Sequence, residues 1–166
     1  MEPAIYFKKW HSPVGDLFLY SDDTHLVALA YEANHDAIVK RLALKNPTKK
    51  TSAVIDAALE QLTEYFAGQR KNFDIPVRSV GTQFQQVAWQ ELQRIPYGRT
   101  ITYAEQAKRL KNASAVRAVG AANGKNPISI IVPCHRVIGA DGSVTGYAGG
   151  IDAKTKLLSL EGIQLT

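Results

Sequence analysis

Cysteine is almost missing from this chain: Cys134 is the only one among 166 residues. No intrachain disulfide can form, and a lone thiol that is to stay usable needs a reducing compartment. Long apolar runs are missing as well. No stretch approaches the ~20 apolar residues that a membrane helix needs, and the first residues, MEPAIYFKKWHSP, lack the apolar core of a signal peptide. The expectation is a cytoplasmic protein with no membrane partner. Asn112-Ala113-Ser114 matches a glycosylation acceptor, which without a secretory route is a chance match. Histidine is scarce, and His11, His25 and His35 stand singly with no metal-ligand spacing. They read as surface or turn residues, and neither a metal nor a cofactor is expected.

Acidic residues are scarce in one half only. Residues 1–83 hold ten Lys/Arg and ten Asp/Glu, whereas residues 84–166 hold ten and five, so the net charge of +5 belongs to the second half. Between Arg94 and Arg136 eight basic residues face a single acid, Glu105. Such a stretch is either an ordinary solvated face or the footprint of a polyanionic partner.

What is present is enough apolar material, 45% of residues, for one compact domain or two small ones sharing an interface. Ile5-Tyr6-Phe7, Leu17 to Tyr20 and Leu26 to Leu29, separated by Ser12-Pro13-Val14-Gly15 and Ser21-Asp22-Asp23, predict a β-meander. Apolar spacing predicts a helix from His35 to Leu44 and a second one capped by Thr51 or Ser52 and closed at Gly68. Arg78 to Gly81 reads as a linker, which divides the chain into 1–78 and 82–166.

Beyond it Thr82 should cap a helix reaching about Arg94, with Phe84, Val87, Ala88, Leu92 and Ile95 facing inward and Trp89 in or near the core. Thr102, with Glu105 completing a capping box, should start a short helix from Tyr103 to Leu110. A break at Lys111-Asn112-Ala113 precedes another from Ser114 to about Asn123. Two short helices with a tight break on a basic background fit a helix-turn-helix, a weak signal alone. The second of them, Ala115-Val116-Arg117-Ala118-Val119-Gly120-Ala121-Ala122, has small side chains, which suit either tight helix packing or close approach to a nucleic-acid groove.

The only cysteine lies in NPISIIVPCHRVIGADGSVTGYAGG, residues 126–150. Ile128 to Val132 reads as a short buried strand that Pro133 stops, leaving the thiol at a strand end. A cysteine attacks as thiolate, and an imidazole or a cation lowers its pKa; His135 and Arg136 supply both residue types. Adjacent residues need not point the same way, so chemistry alone leaves two readings open, a reactive thiol and a buried inert one. A cysteine hydrolase and a helix-turn-helix regulator remain competing readings of the chain.

Asn126-Pro127, the run Pro133 to Gly139 (PCHRVIG) and Gly146-Tyr147-Ala148-Gly149-Gly150 resemble the active-site segment of the O6-alkylguanine-DNA alkyltransferases, also called methylated-DNA–protein-cysteine methyltransferases. The resemblance is strong from about Gly81 to Gly162 and weaker before it. The related non-catalytic alkyltransferase-like proteins carry tryptophan where this chain has Cys134.

The resemblance implies an α+β fold: a small N-terminal RNase-H-like αβ domain followed by a mainly helical, winged helix-turn-helix-like DNA-binding domain that carries the cysteine. It implies irreversible, single-turnover transfer of an alkyl group from O6-alkylguanine, and O4-alkylthymine, in flipped-out nucleotides of double-stranded DNA entered from the minor groove. No obligate protein partner is implied. Cys134 would be the nucleophile, His135 the base acting through a water, Glu161 the group orienting the imidazole, and Asn126 the brace of the turn. Tyr103 would crowd the phosphate and contact the extruded base. Arg117 would fill the vacated stack, with Ala118, Ala121 and Arg136 also against DNA. Carbonyls of Cys134 and Val137 would meet the guanine amine, and Tyr147 with the Ala148 N–H would lie near the alkylated oxygen. Serine is common where this chain has Ala148, and glycine and proline are common where it has Lys111 and Ala113.

Overall fold

Residues 4–164 are described here, from a computed structural model. The three apolar runs near the start pair as an antiparallel meander, β1 (Tyr6–Ser12), β2 (Gly15–Ser21) and β3 (Leu26–Tyr31), in that spatial order. The β2–β3 turn is held by Asp22, whose carboxylate accepts from the backbone N–H of Thr24 at 2.8 Å and His25 at 2.7 Å. Alternation sorts the side chains by face. Phe18, Tyr20, Ala28 and Ala30 meet Ile38 of α1 (Glu32–Arg41), while Leu17, Leu19, Leu29 and Tyr31 meet α2 (Ala53–Phe66) and the second half of the chain. All of β3 is buried because both faces are covered.

Ser52 caps α2 by accepting from Ile55 N at 3.1 Å, and the helix buries Val54, Ile55, Ala58, Leu62 and Tyr65 before Gly68 turns the chain at φ +76°. Val54, Ile55 and Leu62 each contribute about 1.5–3 kcal/mol on burial. The α1 helix begins at Glu32 and ends at Arg41 rather than running from His35 to Leu44. Arg78, expected in a linker, is tied back to the meander by an ion pair with Asp22 and an N–H donated to Leu26 O at 2.9 Å.

In the second half, Thr82 and Gln85 form a reciprocal capping box on α3 (Gln83–Leu92). Trp89 is buried and donates to Ala122 O at 2.8 Å, but Phe84 (36% exposed) and Val87 (44%) face outward, contrary to expectation. Val87 lies on the far side of the helix from Trp89 and Leu92, and Phe84 stands in the first turn of α3, at the end of the packed face. A two-residue parallel pair, β4 (Ile101–Thr102) with β5 (Val137–Ile138), flanks α4 (Tyr103–Arg109) and α5 (Val116–Gly124). Thr102 caps α4 by accepting from Glu105 N, yet the Glu105 carboxylate turns away to Arg109 at 3.2 Å, so only half of the expected box forms. Gln106 and Asn123 exchange two buried hydrogen bonds, 3.0 and 2.8 Å, and lock α4 to α5. Between them Lys111 takes φ +59°. The α5 helix starts one residue after Ala115, with no side-chain cap, instead of at Ser114. The last helix is α6 (Ile151–Leu160).

The expected strand over Ile128–Val132 is a correction. Those residues are buried, Ile131 only in part, but coil as a turn, with Ile130 at φ +73°, and only Ile128 bridges β3. Asn126 is the reason: its amide donates to Val132 O at 2.8 Å and accepts from Ile128 N at 3.0 Å, drawing the run into a loop. Apolarity reported burial there, and five residues are too few for periodicity to separate strand from turn. The core runs without interruption across both halves, and β3 exchanges backbone bonds with the segment before the cysteine, Leu29 N to Pro127 O at 2.9 Å and Ser129 N to Leu29 O at 3.0 Å.

Candidate active site

Pro133 cannot donate to a ladder, and after the Asn126-braced turn the chain winds into one 3-10 turn, Cys134–Arg136. That turn sends its three side chains in two directions. Cys134 (7% exposed) lies at the floor of a cavity of about 230 Å³ whose walls include Tyr103, Gly120, Asn123, Tyr147 and Ala148. His135 and Arg136 point the other way, into the protein.

There they meet Glu161, at the C-terminal end of α6. The Glu161 carboxylate accepts from His135 Nε2 at 2.6 Å, Arg136 Nε at 2.8 Å and Nη2 at 3.2 Å, the Tyr65 hydroxyl at 2.6 Å and Gly98 N at 3.2 Å. Burial alone would raise this carboxyl, but the bonds and charge of His135, then Arg136 and Tyr65, outweigh it and hold Glu161 down at about 2. Burial lowers His135 despite Glu161, so the imidazole is neutral near pH 7. A neutral ring bound to an ionised carboxylate through Nε2 must carry its proton there. Nδ1 is then a free lone pair; it is buried and has no partner among the described residues.

Burial pushes the Cys134 thiol up, opposed by the Asn126 amide and the charge of Lys154. Lys154 escaped the sequence reading. It is fully buried on α6, donating to Val137 O at 2.7 Å and Thr145 O at 2.8 Å, with Nζ 5.9 Å from the Tyr103 ring centroid. Its spacing gave a signal, since Ala153, Lys154, Leu157 and Leu158 share the inward stripe of one helix. Tyr65 was also missed as a site residue, for it lies far away in sequence.

The expected residues divide three ways. Cys134, Tyr103, Tyr147 and Ala148 meet at the cavity, while His135, Glu161 and Asn126 stand behind it. Arg117, Ala118 and Ala121 are exposed on one face of α5, with Val119, Ala122 and Asn123 buried on the other. Arg136 is a correction: it is 7% exposed and spends its donors on Glu161 and on Ile95 O at 2.7 Å, so it is no DNA contact. A buried carboxylate needed a cation, and the adjacent arginine was the one in reach. The Val137 carbonyl, expected to meet guanine, already accepts from Lys154 and keeps one lone pair. No group of three or more His, Cys, Asp or Glu able to hold a metal occurs among the described residues.

Comparison with known proteins agrees with this geometry. Residues 83–163 match the model of the 6-O-methylguanine DNA methyltransferase DNA-binding domain, and residues 5–79 that of its ribonuclease-like domain. The methylated-DNA–protein-cysteine methyltransferase of Methanosarcina acetivorans is 44% identical over 158 residues, covering 95% of this chain and 99% of that protein. The constitutive Bacillus subtilis protein of the same name is 40% identical over 95% of this chain and 96% of its own. Among solved structures, Mycobacterium tuberculosis OGT in complex with DNA superposes with a TM-score of 0.83 at 41% identity, covering 94% of this chain and 92% of that one. A chain so similar over nearly its whole length, with a single cysteine on a cavity floor before a His–Glu pair, belongs to the methylated-DNA–protein-cysteine methyltransferase family.

Proposed function

We propose that this chain repairs DNA by moving the alkyl group of O6-alkylguanine, and of O4-alkylthymine, onto Cys134. The observation that carries the chemistry is His135, whose Nε2 is committed to Glu161 while Nδ1 is buried and unpartnered one residue from the only thiol. Cys134 gives its proton to Nδ1 through a water, Glu161 stabilises the imidazolium that results, and Lys154 favours the thiolate. Sulfur then attacks the alkyl carbon: the S–C bond forms, the C–O bond breaks, and the electron pair stays on the base, which takes up a proton. The thioether has no leaving group for water to displace, so each molecule acts once.

The exposed α5 face, with Arg117 beside Ala118 and Ala121, would enter the minor groove, where small side chains permit close approach. Arg117 would occupy the stack left by the flipped nucleotide, and Tyr103 would contact the extruded base at the cavity mouth. Residues 1–78 and 82–166 are proposed as the two units, the first bracing the second through β3 and Tyr65. The test is intact-protein mass after incubation with O6-methylguanine duplex. A gain of one methyl group, located on Cys134 and absent in Cys134→Ala, is expected, with Cys134→Ala still binding DNA. Transfer well past one equivalent, or no gain at all, would defeat the reading.

A further inference from the structure

The cavity wall formed by Tyr147 rests on a residue of the other half of the chain. Tyr31, the last residue of β3, is 3% exposed, and its hydroxyl lies 2.8 Å from the Tyr147 hydroxyl. The two rings meet edge to face, 5.3 Å between centroids at 71°. Tyr31 also lies flat against the backbone after Tyr147: a Cβ added to Gly149 would stand 2.6 Å from the Tyr31 ring, so only glycine admits this contact.

Two phenols joined by one hydrogen bond leave one hydroxyl hydrogen over. If Tyr147 donated, the Tyr31 hydrogen would be buried with no acceptor, because Tyr147 is its one hydroxyl partner among the described residues. If Tyr31 donates, the Tyr147 hydrogen is freed, and Tyr147 lines the cavity beside Cys134. We propose that Tyr31 is a positioning residue: it donates to the Tyr147 hydroxyl so that the hydrogen of Tyr147 faces the cavity and is offered to the base oxygen that leaves. A phenol that accepts a hydrogen bond is also a better donor. The inference rests on the transfer reaction above and adds a part for the N-terminal half in its chemistry.

The test uses the full chain and two reagents for the sole thiol. O6-benzylguanine has a leaving oxygen that gains from a donor, whereas iodoacetamide loses iodide and needs none. Tyr31→Phe keeps the ring and its seat on Gly149. It should slow benzyl transfer threefold to tenfold while changing the iodoacetamide rate less than twofold. Tyr147→Phe should slow benzyl transfer at least as much, and Tyr31→Phe added to it should cost nothing further. An unchanged benzyl rate in Tyr31→Phe overturns the inference. So does an equal loss with both reagents, which marks a packing role, or a double variant whose effects multiply. If the unaltered protein reacts with iodoacetamide but gains neither a benzyl group nor a methyl group from O6-methylguanine duplex, the transfer reading itself falls and takes this inference with it. If it takes methyl but not benzyl, the same variants are compared on the methylated duplex with the same expected outcomes.

Discussion

Two arginines in the second half have opposite fates. Arg136, next to the reactive pair, is buried against Glu161 and the Ile95 carbonyl, whereas Arg117, on α5, is exposed and makes no ion pair among the described residues. The first closes a charge account inside the protein: a carboxylate that must stay ionised to hold His135 needs a cation nearby in a medium of low dielectric. The second stands beside the small, exposed Ala118 and Ala121, so its charge is available to a partner. Position along the chain says nothing of this difference, because both belong to the same basic stretch. Net charge around Cys134 thus overstates the surface that DNA can use, since Arg109 is also engaged, with Glu105 at 3.2 Å.

Breaking the buried side should have the larger effect. Glu161→Ala leaves Arg136 and the Tyr65 hydroxyl buried without their acceptor, and should cost about 3–5 kcal/mol of stability. It also frees the imidazole to take the other tautomer, so transfer to Cys134 should drop well below that of any α5 variant. Urea denaturation and single-turnover rates on one preparation check both parts, and a variant of near-native stability would show the cluster to be dispensable.

On the exposed side, Arg117→Ala should slow repair of O6-alkylguanine in duplex DNA by about tenfold or more, equivalent to roughly 1.4 kcal/mol. Reaction with the free alkylated base should hardly change, because there is no stack to fill. The ratio of duplex to free-base rates is the measurement; equal slowing of both would place Arg117 in the fold or the cavity instead.

Acid separates the two regions further. His135 and Glu161 both titrate below their ordinary values in the folded protein, 6.5 and 4.5 respectively. For each, the unfolded chain takes up its proton first as pH falls, so the stabilisation is complete above the ordinary value and is lost below it. Stability should decline from about pH 6.5 as His135 resists protonation, then again between 4.5 and about 2 as Glu161 does. Urea midpoints taken between pH 8 and pH 3 should show both steps, and Glu161→Gln should shrink the lower one, leaving the part that belongs to Asp22, whose carboxyl is also held down at about 2.

The smallest effect concerns the turn leading into α5. Lys111 holds φ +59°, a left-handed conformation that costs a side-chain-bearing residue about 1 kcal/mol. Lys111→Gly should raise stability by up to about that amount, read as a shift of the thermal midpoint, with no change in the free-base rate. A loss of stability would mean that the lysine side chain offsets its own backbone strain.

Much of this protein was written locally. The caps at Ser52, Thr82 and Thr102 name their helices because the hydroxyl reaches an amide three residues on. The meander followed from apolar runs between turn residues, and PCHRV identified the family. Other features depended on residues distant in sequence. Ile128 to Val132 became a turn because Asn126 satisfies its backbone from the side, and Arg136 went inward because α6 brings Glu161 to it. Lys154 reaches two carbonyls, and Tyr31 the cavity wall, across spans that no pattern encodes. The sequence determines which groups must find a partner, since burial punishes any donor, acceptor or charge left alone. Which partner each one finds is decided only when the packed elements set the distances, and on that assignment the proton placement around His135 and Tyr147 depends.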